Sequence, residues 1–404
     1  MNPTDSPESK SATQLNPLNV LMFCATSSLY GAARAAVTTS IGLRNLGHQS
    51  SLAIGPGPLW ELVEQEKLVA VEVPNKYWVY PEGGIFKGMR RFALNRSNAK
   101  TQAKILMEKK FNVCHSHSLM SPLGALLADQ LKIPHVWHFH ELVNTSPGHR
   151  FLLGASHARN FIDRSTDCII VNSKFTADAS SLYAPSGKTR LVYYGILPEE
   201  VHQIEPPERP PISPNRVIKL ILVGSIQERK GQEDAILALA ELVRTRLKAT
   251  LTFVGEGPRE YVQKLTKLAE DLGVAEQIHW AGFHNEPIPF YKEADIALVC
   301  SRDEPFGIIT VEAMSLGLPT IGAKSGGVVE VISDGVNGLL YDPGDFKTLA
   351  NRIALIVNKP ELRSKLVESA YHSAFNRFGL TRYTREIESV YNEAIESYRS
   401  RISR

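Results

Sequence analysis

The stretch IALVCSRDEPFGIITVEAMSLGLPTIGA, residues 296–323, contains a β-rich apolar run, a polar turn, a short helical pattern and a second apolar run. Apolar runs without alternation are typical of parallel strands that are covered on both faces, and a helix is the usual connection between two such strands. The stretch therefore predicts one strand–helix–strand unit of a parallel α/β sheet.

The same alternation fills most of the 404-residue chain. Apolar runs separated by helical patterns occur at 19–24, 51–54, 69–73, 112–116, 134–140, 168–172, 190–194, 217–224, 249–255, 278–282, 296–300, 319–323 and 338–342. They are interrupted by EPPERPPISPNR (205–216), whose five prolines indicate a linker. We predict two doubly wound parallel-sheet α/β domains, 18–204 and 217–380, with a ligand-binding cleft between them.

The two ends of the chain differ from this pattern. Residues 1–17 are polar and lack an apolar core, so we expect a disordered leader rather than a signal peptide. Residues 381–404 carry apolar side chains at helical spacing, which predicts a terminal helix that could pack back across the first domain.

Composition limits the classes of function. A net charge of +3 argues against a protein organised around nucleic acid by bulk charge. The four cysteines form no Cys-x-x-Cys pair and lie in or beside apolar runs, which favours buried thiols in a reducing compartment. No segment is apolar enough to cross a bilayer, and we expect a cytoplasmic protein.

Two carboxylates flank the polar turn of the opening stretch. Pro305 disfavours helical geometry for Glu304, which places Glu304 in a loop at the carboxyl end of a strand. The following helix would end near Gly317 and contain Glu312 about one turn from its start. Its first amides, near 307–309, would form a phosphate-binding helix end between two carboxylates that could accept hydroxyl hydrogen bonds.

Alternatives remain open at this site and at a second one. Glu304 and Glu312 could equally be solvated charges, and their spacing is poor for a metal. Arg229, Lys230 and Gly231 follow the first strand of the second domain and precede a helix, where cations suit a diphosphate, although a solvated turn explains them too.

In the first domain, Gly31 lies at a strand-to-helix turn. The sequence around it lacks the Gly-x-Gly-x-x-Gly spacing of a dinucleotide site, which disfavours nicotinamide binding. His138 and His140 share one face of a strand and precede Glu141, so a metal site is conceivable, although hydrogen bonds at a sheet end are the commoner role. His115 and His117 carry the same ambiguity.

The segment 87–110 is strongly basic. It contains eight Lys or Arg and one acid, Glu108, mixed with apolar side chains. A basic amphipathic helix of this kind can lie on an anionic membrane, but a solvated helix face or a basic groove for an anionic acceptor fits the same residues.

Together and in order, these segments resemble the retaining nucleotide-sugar glycosyltransferases of the GT-B fold, family 4, over roughly Asn19 to Tyr398. EPFGIITVE resembles the Glu-x7-Glu motif of the family, GSIQERKG its phosphate loop, SLYGAARAAV its acceptor-side loop and HFHEL its first-domain histidine motif. The resemblance implies two Rossmann-like domains with an interdomain cleft.

It also implies roles for individual residues. Glu304 would bind sugar hydroxyls, Glu312 the ribose, and Lys230 with Arg229 the diphosphate. His140 would lie near the donor sugar, so that His140, Lys230 and Glu304 form the catalytic set. The remaining positions are the donor-side Gly282, Phe283, Phe306, Gly307, Ile308 and Ile309, and the acceptor-side Gly31, Ala32 and Arg34.

The leading hypothesis is therefore a metal-independent, cofactor-free retaining enzyme. It would move a hexosyl unit from a nucleotide-diphosphate sugar to a glycan, lipid-linked or small-molecule hydroxyl, in cell-envelope polysaccharide or glycoconjugate synthesis. The expected partners are that donor and acceptor, no nucleic acid, and an anionic inner membrane face touched through 87–110. The alternatives are another GT-B enzyme, such as a nucleotide-sugar epimerase, or a non-catalytic nucleotide-sugar-binding protein.

Overall fold

The structure is a computed structural model that describes residues 16–29, 31–80, 83–143, 150–196, 206, 208–212 and 216–403. Nearly all of the predicted leader 1–17 and about half of the predicted linker 205–216 lie outside these residues. Among the described helices, none combines the length and the apolar character that a membrane span requires.

The first part of the chain forms a seven-stranded parallel sheet and a separate two-stranded ribbon. The strands are β1 (Asn19–Cys24), β2 (Gln49–Ile54), β3 (Val69–Glu72), β4 (Val79–Tyr80), β5 (Val113–His117), β6 (His135–Phe139), β7 (Arg150–Phe151), β8 (Cys168–Val171) and β9 (Thr189–Leu191). The sheet order is β3-β2-β1-β5-β6-β8-β9, and β4 pairs with β7 in the antiparallel ribbon.

Six helices accompany this sheet. They are α1 (Gly31–Asn45), α2 (Leu59–Gln65), α3 (Ile85–Leu106), α4 (Leu123–Leu131), α5 (Ala155–Ser165) and α6 (Lys174–Ser180). The central strands β1, β5, β6 and β8 are almost completely buried, because helices cover both of their faces.

The second part of the chain forms a six-stranded parallel sheet. Its strands are β10 (Ile218–Val223), β11 (Ala249–Val254), β12 (Ile278–Gly282), β13 (Ile296–Val299), β14 (Thr320–Ala323) and β15 (Leu339–Tyr341), in the order β12-β11-β10-β13-β14-β15. The helices are α7 (Gln232–Arg244), α8 (Arg259–Asp271), α9 (Ile288–Glu293), α10 (Ile308–Ser315), α11 (Val328–Val331), α12 (Phe346–Asn358), α13 (Pro360–Phe378) and α14 (Leu380–Ile402).

Strand order reverses once in each sheet, and these reversals position the site. The first sheet switches direction between β1 and β5, and the second between β10 and β13. In open α/β sheets, ligands bind outside the carboxyl ends of the strands at such switch points. The predicted fold class, two doubly wound parallel sheets, is confirmed.

The terminal helix α14 packs on the first sheet rather than on the second. Tyr383, Ile387 and Tyr391 are buried in one cluster with β1 and β5 side chains such as Met22 and Val113. Strand β1 and helix α14 therefore share one hydrophobic core, which ties the two parts of the molecule together.

The basic segment forms most of α3. Its inner face is a stripe of small or polar buried residues that includes Gly88, Asn95 and Ala99. Ile85, Phe86 and Met89 at the start of the helix are more than half exposed, while all four cysteines are buried and free, as expected from the sequence.

Candidate functional site

The loops after β10 and β13 lie side by side, because these two strands are hydrogen-bonded neighbours at the switch point of the second sheet. The first loop ends in a turn at 228–230 that leads into α7, and the second runs from Cys300 to Gly307. The backbone amide of Arg302 donates to the carbonyl oxygen of Arg229 at 2.8 Å. Two segments 70 residues apart therefore form one surface.

Lys230 and Glu304 form the ionic centre of this surface. The Lys230 Nζ atom lies 2.5 Å from Glu304 Oε2, and about one tenth of each side chain is exposed. Burial opposes ionisation of Glu304, but the charge of Lys230 and its hydrogen bond outweigh burial, so the pKa of Glu304 lies below its usual value. Arg229 lies close enough to lower it further.

The close approach of the two loops explains Gly231. Its backbone has a φ of 66°, and a Cβ atom there would lie 2.1 Å from the carbonyl oxygen of Cys300. A residue with a side chain would push the β13 loop away from Lys230. Gly231 therefore allows the two loops to approach each other closely enough for the Lys230–Glu304 ion pair to form, in addition to its place at the start of the helix.

The helix α10 presents its amino end beside Glu304. Gly307 precedes it with a φ of 91°, and among the described residues none accepts a hydrogen bond from the amides of Ile308 and Ile309. Free amides at a helix start, together with the helix dipole, form an anion site. The predicted strand–loop–helix arrangement is therefore present.

The side chain of Phe306 does not take part in that site. It is 1% exposed and packs against Tyr194, with ring centroids 5.3 Å apart, and against Phe378. The ring of Phe306 belongs to the core. The prediction that Phe306 contacts a donor therefore concerns its backbone amide only.

Glu312 lies on α10 in a different environment from Glu304. Burial raises the pKa of Glu312, and Arg34 offsets this only in part. A cavity of about 80 Å³ between the two sheets is lined by Gly31, Arg34, Ile308 and Glu312, among others. The predicted acceptor-side and donor-side residues therefore meet at one cavity.

The predicted acceptor-side loop contacts the second sheet directly. Arg34 Nη1 donates to the carbonyl oxygen of Asn285 at 3.0 Å, in the loop after β12. Gly31 begins α1 with a φ of 26°, and Ala32 is buried within that helix. Of these residues, Gly31 and Arg34 face the cavity, whereas Ala32 supports the helix.

Gly282 and Phe283 lie at the carboxyl end of β12. Gly282 has a φ of 77°, and its carbonyl oxygen accepts a hydrogen bond from Gly255 at 2.8 Å. Phe283 is 37% exposed. Strand β12 lies three positions away from β13 in the sheet. A ligand that contacted Gly282 and Phe283 as well as the loop after β13 would therefore extend along the carboxyl ends of the strands.

Four histidines form a cluster on one face of the first sheet. His115 and His117 on β5 share one face with His138 and His140 at the end of β6, because His117 pairs with His138 and side chains alternate along a strand. All four are buried. Burial lowers the pKa of each ring, that of His117 to about 3, so the cluster is neutral at physiological pH.

His140 is held by hydrogen bonds at both ring nitrogens. Its Nε2 atom lies 3.1 Å from His117 Nδ1, and its Nδ1 atom pairs with the Tyr194 hydroxyl. Tyr194 also accepts from Asn172 Nδ2 at 3.0 Å and stacks on the His140 ring. Since Tyr194 contacts Phe306, it connects the histidines to the Glu304 loop.

Glu330 connects the two halves of the molecule, and sequence reasoning gave it no role. Its carboxylate accepts from the backbone amides of Lys174 and Phe175 at 2.9 and 3.1 Å, and from the Tyr193 hydroxyl at 2.9 Å. The carbonyl oxygen of Pro305 also accepts from Ser173. These contacts fix the Glu304 loop against the first sheet.

Comparison with solved structures identifies the class of fold. Anabaena HepE, solved in complex with UDP-glucose, superposes with a TM-score of 0.74 at 21% identity over 92% of this chain and 98% of that chain. Sucrose-phosphate synthase from Thermosynechococcus elongatus gives a TM-score of 0.72 at 16% identity over 94% and 100%. The chain has the two-domain GT-B architecture of glycosyltransferases.

Sequence comparison identifies the family. The model of glycosyl transferases group 1 matches residues 207–373, and that of glycosyltransferase family 4 matches residues 30–200. The chain belongs to this glycosyltransferase family and is a transferase enzyme, which confirms the resemblance found in its motifs.

Curated relatives are of moderate identity. An uncharacterised glycosyltransferase of Methanocaldococcus jannaschii is 29% identical over 72% of this chain and 78% of its own length. A D-inositol 3-phosphate glycosyltransferase of Catenulispora acidiphila is 28% identical over 72% and 74%. The similarity therefore extends through 72% of this chain in both comparisons.

Proposed function

We propose that the protein transfers a hexosyl unit from a nucleotide-diphosphate sugar to an acceptor hydroxyl, with retention at the anomeric carbon and without a metal. The observation that carries this proposal is the Lys230–Glu304 pair beside the free amides of α10, at the switch point of the second sheet. This arrangement offers a cation, an anion site and a hydroxyl acceptor within one loop pair.

Each part of the donor has a matching group. The diphosphate lies against Lys230, Arg229 and the amides of Ile308 and Ile309. Glu304 accepts hydrogen bonds from sugar hydroxyls, and Glu312 accepts them from the ribose. Gly282 and Phe283 hold the base at the far end of the row of strand ends. The Anabaena relative binds UDP-glucose, which makes UDP-sugars the first donors to test.

Stabilisation of the leaving group is the main catalytic contribution in this proposal. Negative charge develops on the diphosphate as the glycosidic bond breaks, and preorganised cations and amides stabilise that charge most in a site shielded from water. Lys230 is already fixed by Glu304, so little reorganisation is needed during the reaction.

His140 acts in the proposal as a neutral hydrogen-bonding group. Its two nitrogens are paired with His117 and Tyr194, and its pKa lies well below the usual value because of burial and neighbouring histidines. A ring that resists protonation can lie beside the donor sugar without becoming a competing cation. We do not assign it the role of general base.

The absence of a metal from the proposed reaction rests on the chemistry of the carboxylates. Glu304 is paired with Lys230, and the charge nearest Glu312 is that of Arg34. Magnesium prefers oxygen ligands that are free to coordinate it together with substrate phosphates. Cationic side chains and amides replace the metal in neutralising the diphosphate.

Donor entry requires the cleft to widen. The cavity between Gly31, Arg34 and Glu312 has a volume of about 80 Å³. Sites for small molecules typically measure roughly 300 to 1,000 Å³. We therefore expect the two sheets to separate when the donor binds.

A thermal-shift panel of UDP-, GDP- and ADP-sugars tests the donor site. A ligand that binds only the folded state raises the melting temperature by mass action. We expect one class of nucleotide sugar to raise it in the wild type and not in Lys230→Ala. No shift with any nucleotide sugar would contradict the proposal, and nuclear magnetic resonance of the product's anomeric proton would test retention.

We also propose that the acceptor is reached at an anionic membrane surface on the cytoplasmic side. Phe86 is 85% exposed beside Ile85 and Met89, and Lys87 and Arg90 lie on the same turn of α3. Exposed apolar side chains flanked by cations suit an interfacial helix. We expect sedimentation with vesicles that contain anionic lipid, and loss of it in Phe86→Ser/Met89→Ser. Equal binding of the double variant would contradict this contact.

A further inference from the structure

The histidine cluster contains polar atoms that the proposed reaction does not use. Four buried nitrogens have no hydrogen-bond partner among the described residues: His115 Nε2, His117 Nε2, and both Nδ1 and Nε2 of His138. An unpaired buried polar atom costs about 1 to 3 kcal/mol, so four of them in one place require an explanation.

The paired nitrogens of the cluster follow one pattern. His115 Nδ1 lies 2.7 Å from the Tyr391 hydroxyl, and His117 Nδ1 lies 3.1 Å from His140 Nε2. Both rings thus use Nδ1 for a hydrogen bond and leave Nε2 free. A histidine that ligates a metal through one nitrogen almost always donates the other N–H to a fixed acceptor, which is the same division of roles.

The three rings that carry these unpaired nitrogens also converge. His115, His117 and His138 each offer one ligand atom, and these atoms lie within 4.8 Å of one another. A point within about 2.8 Å of all three therefore exists, compared with about 2.0 to 2.1 Å for a Zn–N bond. Small rotations of the imidazole rings would close this difference.

We propose that His115, His117 and His138 bind one Zn²⁺ through three imidazole nitrogens. Imidazole is a preferred zinc ligand, and three imidazole ligands suit a zinc site. The site lies inside the first domain beneath α14, because Tyr391 of that helix closes it from one side. It is separate from the donor carboxylates, so it leaves the proposed transfer chemistry metal-independent.

Such a site would also fix the tautomer of His140. With Nε2 of His117 on the metal, the proton of His117 resides on Nδ1 and is donated to His140 Nε2. His140 then carries its own proton on Nδ1, facing Tyr194. His117 thereby becomes a positioning residue that connects the metal to the cleft.

The first experiment measures zinc in the full-length chain without a polyhistidine tag, purified without chelator. Mass spectrometry of the metal content should give about one zinc per chain. Removal of zinc with a chelator should lower the melting temperature by about 5 °C, a shift that readdition of zinc alone reverses. Less than about one tenth of a zinc per chain, with no shift on adding zinc, would overturn the proposal.

Two substitutions on one strand separate metal binding from general damage to the core. His138→Leu removes a ligand that makes no hydrogen bond to the described residues, and we expect it to abolish zinc binding and lower the melting temperature. His135→Leu lies on the opposite face of β6 and breaks hydrogen bonds to Ser116 and Thr166, so it should lower stability yet retain zinc.

The direction in which His138→Leu changes the melting temperature is informative even if this variant folds poorly. Without a metal, removing two unpaired buried nitrogens should leave stability unchanged or raise it. A His138→Leu protein at least as stable as the wild type as purified, or one that retains zinc, would overturn the proposal. Donor binding is not part of these measurements, so their outcome is independent of the proposed function.

Discussion

The two faces of the cleft handle charge in opposite ways. The face from the second sheet holds a buried ion pair, Lys230 and Glu304, and the free amides of α10. The face from the first sheet holds Tyr194, whose hydroxyl pairs with His140 of the buried histidine cluster. Charge is fixed where a diphosphate would bind, and directional hydrogen bonds without charge are fixed where the sugar would bind.

This difference suggests a division of labour. Burial keeps the His140 ring neutral, so this ring would not compete with Lys230 for a diphosphate. The two carboxylates of the second sheet also differ from each other. A paired cation lowers the pKa of Glu304, whereas burial raises the pKa of Glu312. Changes that add or remove one charge at a time can separate these roles.

Lys230→Ala should have the largest effect, because it removes the cation closest to the proposed leaving group. We expect kcat/KM to fall by about 100- to 1,000-fold. Arg229→Ala is the matched control on the adjacent residue, which makes an exposed hydrogen bond to Gln227 instead of a buried ion pair, and it should lose less. Equal losses in both variants would show that Lys230 has no special place at the site.

His140→Ala should have the next largest effect, with transfer falling by about 10- to 100-fold. Because we propose that the donor diphosphate binds on the opposite face, we expect kcat to fall more than donor affinity. Tyr194→Phe keeps the ring stack on His140 and removes the two hydrogen bonds of the hydroxyl, to His140 and to Asn172, so it should lose less activity than His140→Ala. A fall in donor affinity with unchanged kcat would contradict the proposed position of His140 beside the donor sugar.

Substitution of the two glutamates should change stability in opposite directions. Glu304→Gln leaves Lys230 buried without a counter-charge and should lower the free energy of unfolding by about 2 kcal/mol. Glu312→Gln removes a carboxylate that burial disfavours and should leave stability unchanged or raise it by up to about 1 kcal/mol. Denaturant unfolding without ligand measures both, and the same sign in both would contradict the assigned environments.

The dependence of stability on pH should be the smallest effect. The contributions of Glu304 and Glu312 to this dependence should have opposite signs. Glu304 has a lowered pKa, so its stabilisation is present above the usual carboxyl value of 4.5 and is lost as pH falls through the lowered pKa. Glu312 has a raised pKa, so stability falls as pH rises from 4.5 through that raised value.

Melting temperatures of the two glutamine variants and the wild type, measured as a function of pH, check this pattern. Both variants should approach the wild type in acid, where each carboxyl is protonated. A difference between Glu304→Gln and the wild type that grows as pH falls would contradict the ion pair.

The face of the cleft from the second sheet was predictable because its elements are local in sequence. Pro305 and Gly307 place Glu304 in a loop and Glu312 in the following helix, and the structure has both in those elements. The parallel strands followed from continuous apolar runs in the same way. Such features depend on residues within about ten positions of one another.

The histidine face was not predictable to the same degree, because it depends on distant contacts. The sequence indicated that His138 and His140 share a face, but their packing depends on pairing with β5, whose His115 contacts Tyr391 of the terminal helix. Glu330 offered no sequence signal for its role, since two of its partners are backbone amides more than 150 residues away.

The most direct test of the account is the release of nucleoside diphosphate from the donor that the thermal-shift panel selects, measured without acceptor in the wild type and in Lys230→Ala. The account predicts slow release by the wild type and a loss of about 100-fold or more in the variant, because the cation that stabilises the leaving diphosphate is gone. No release by the wild type, or equal release by both proteins, would contradict it.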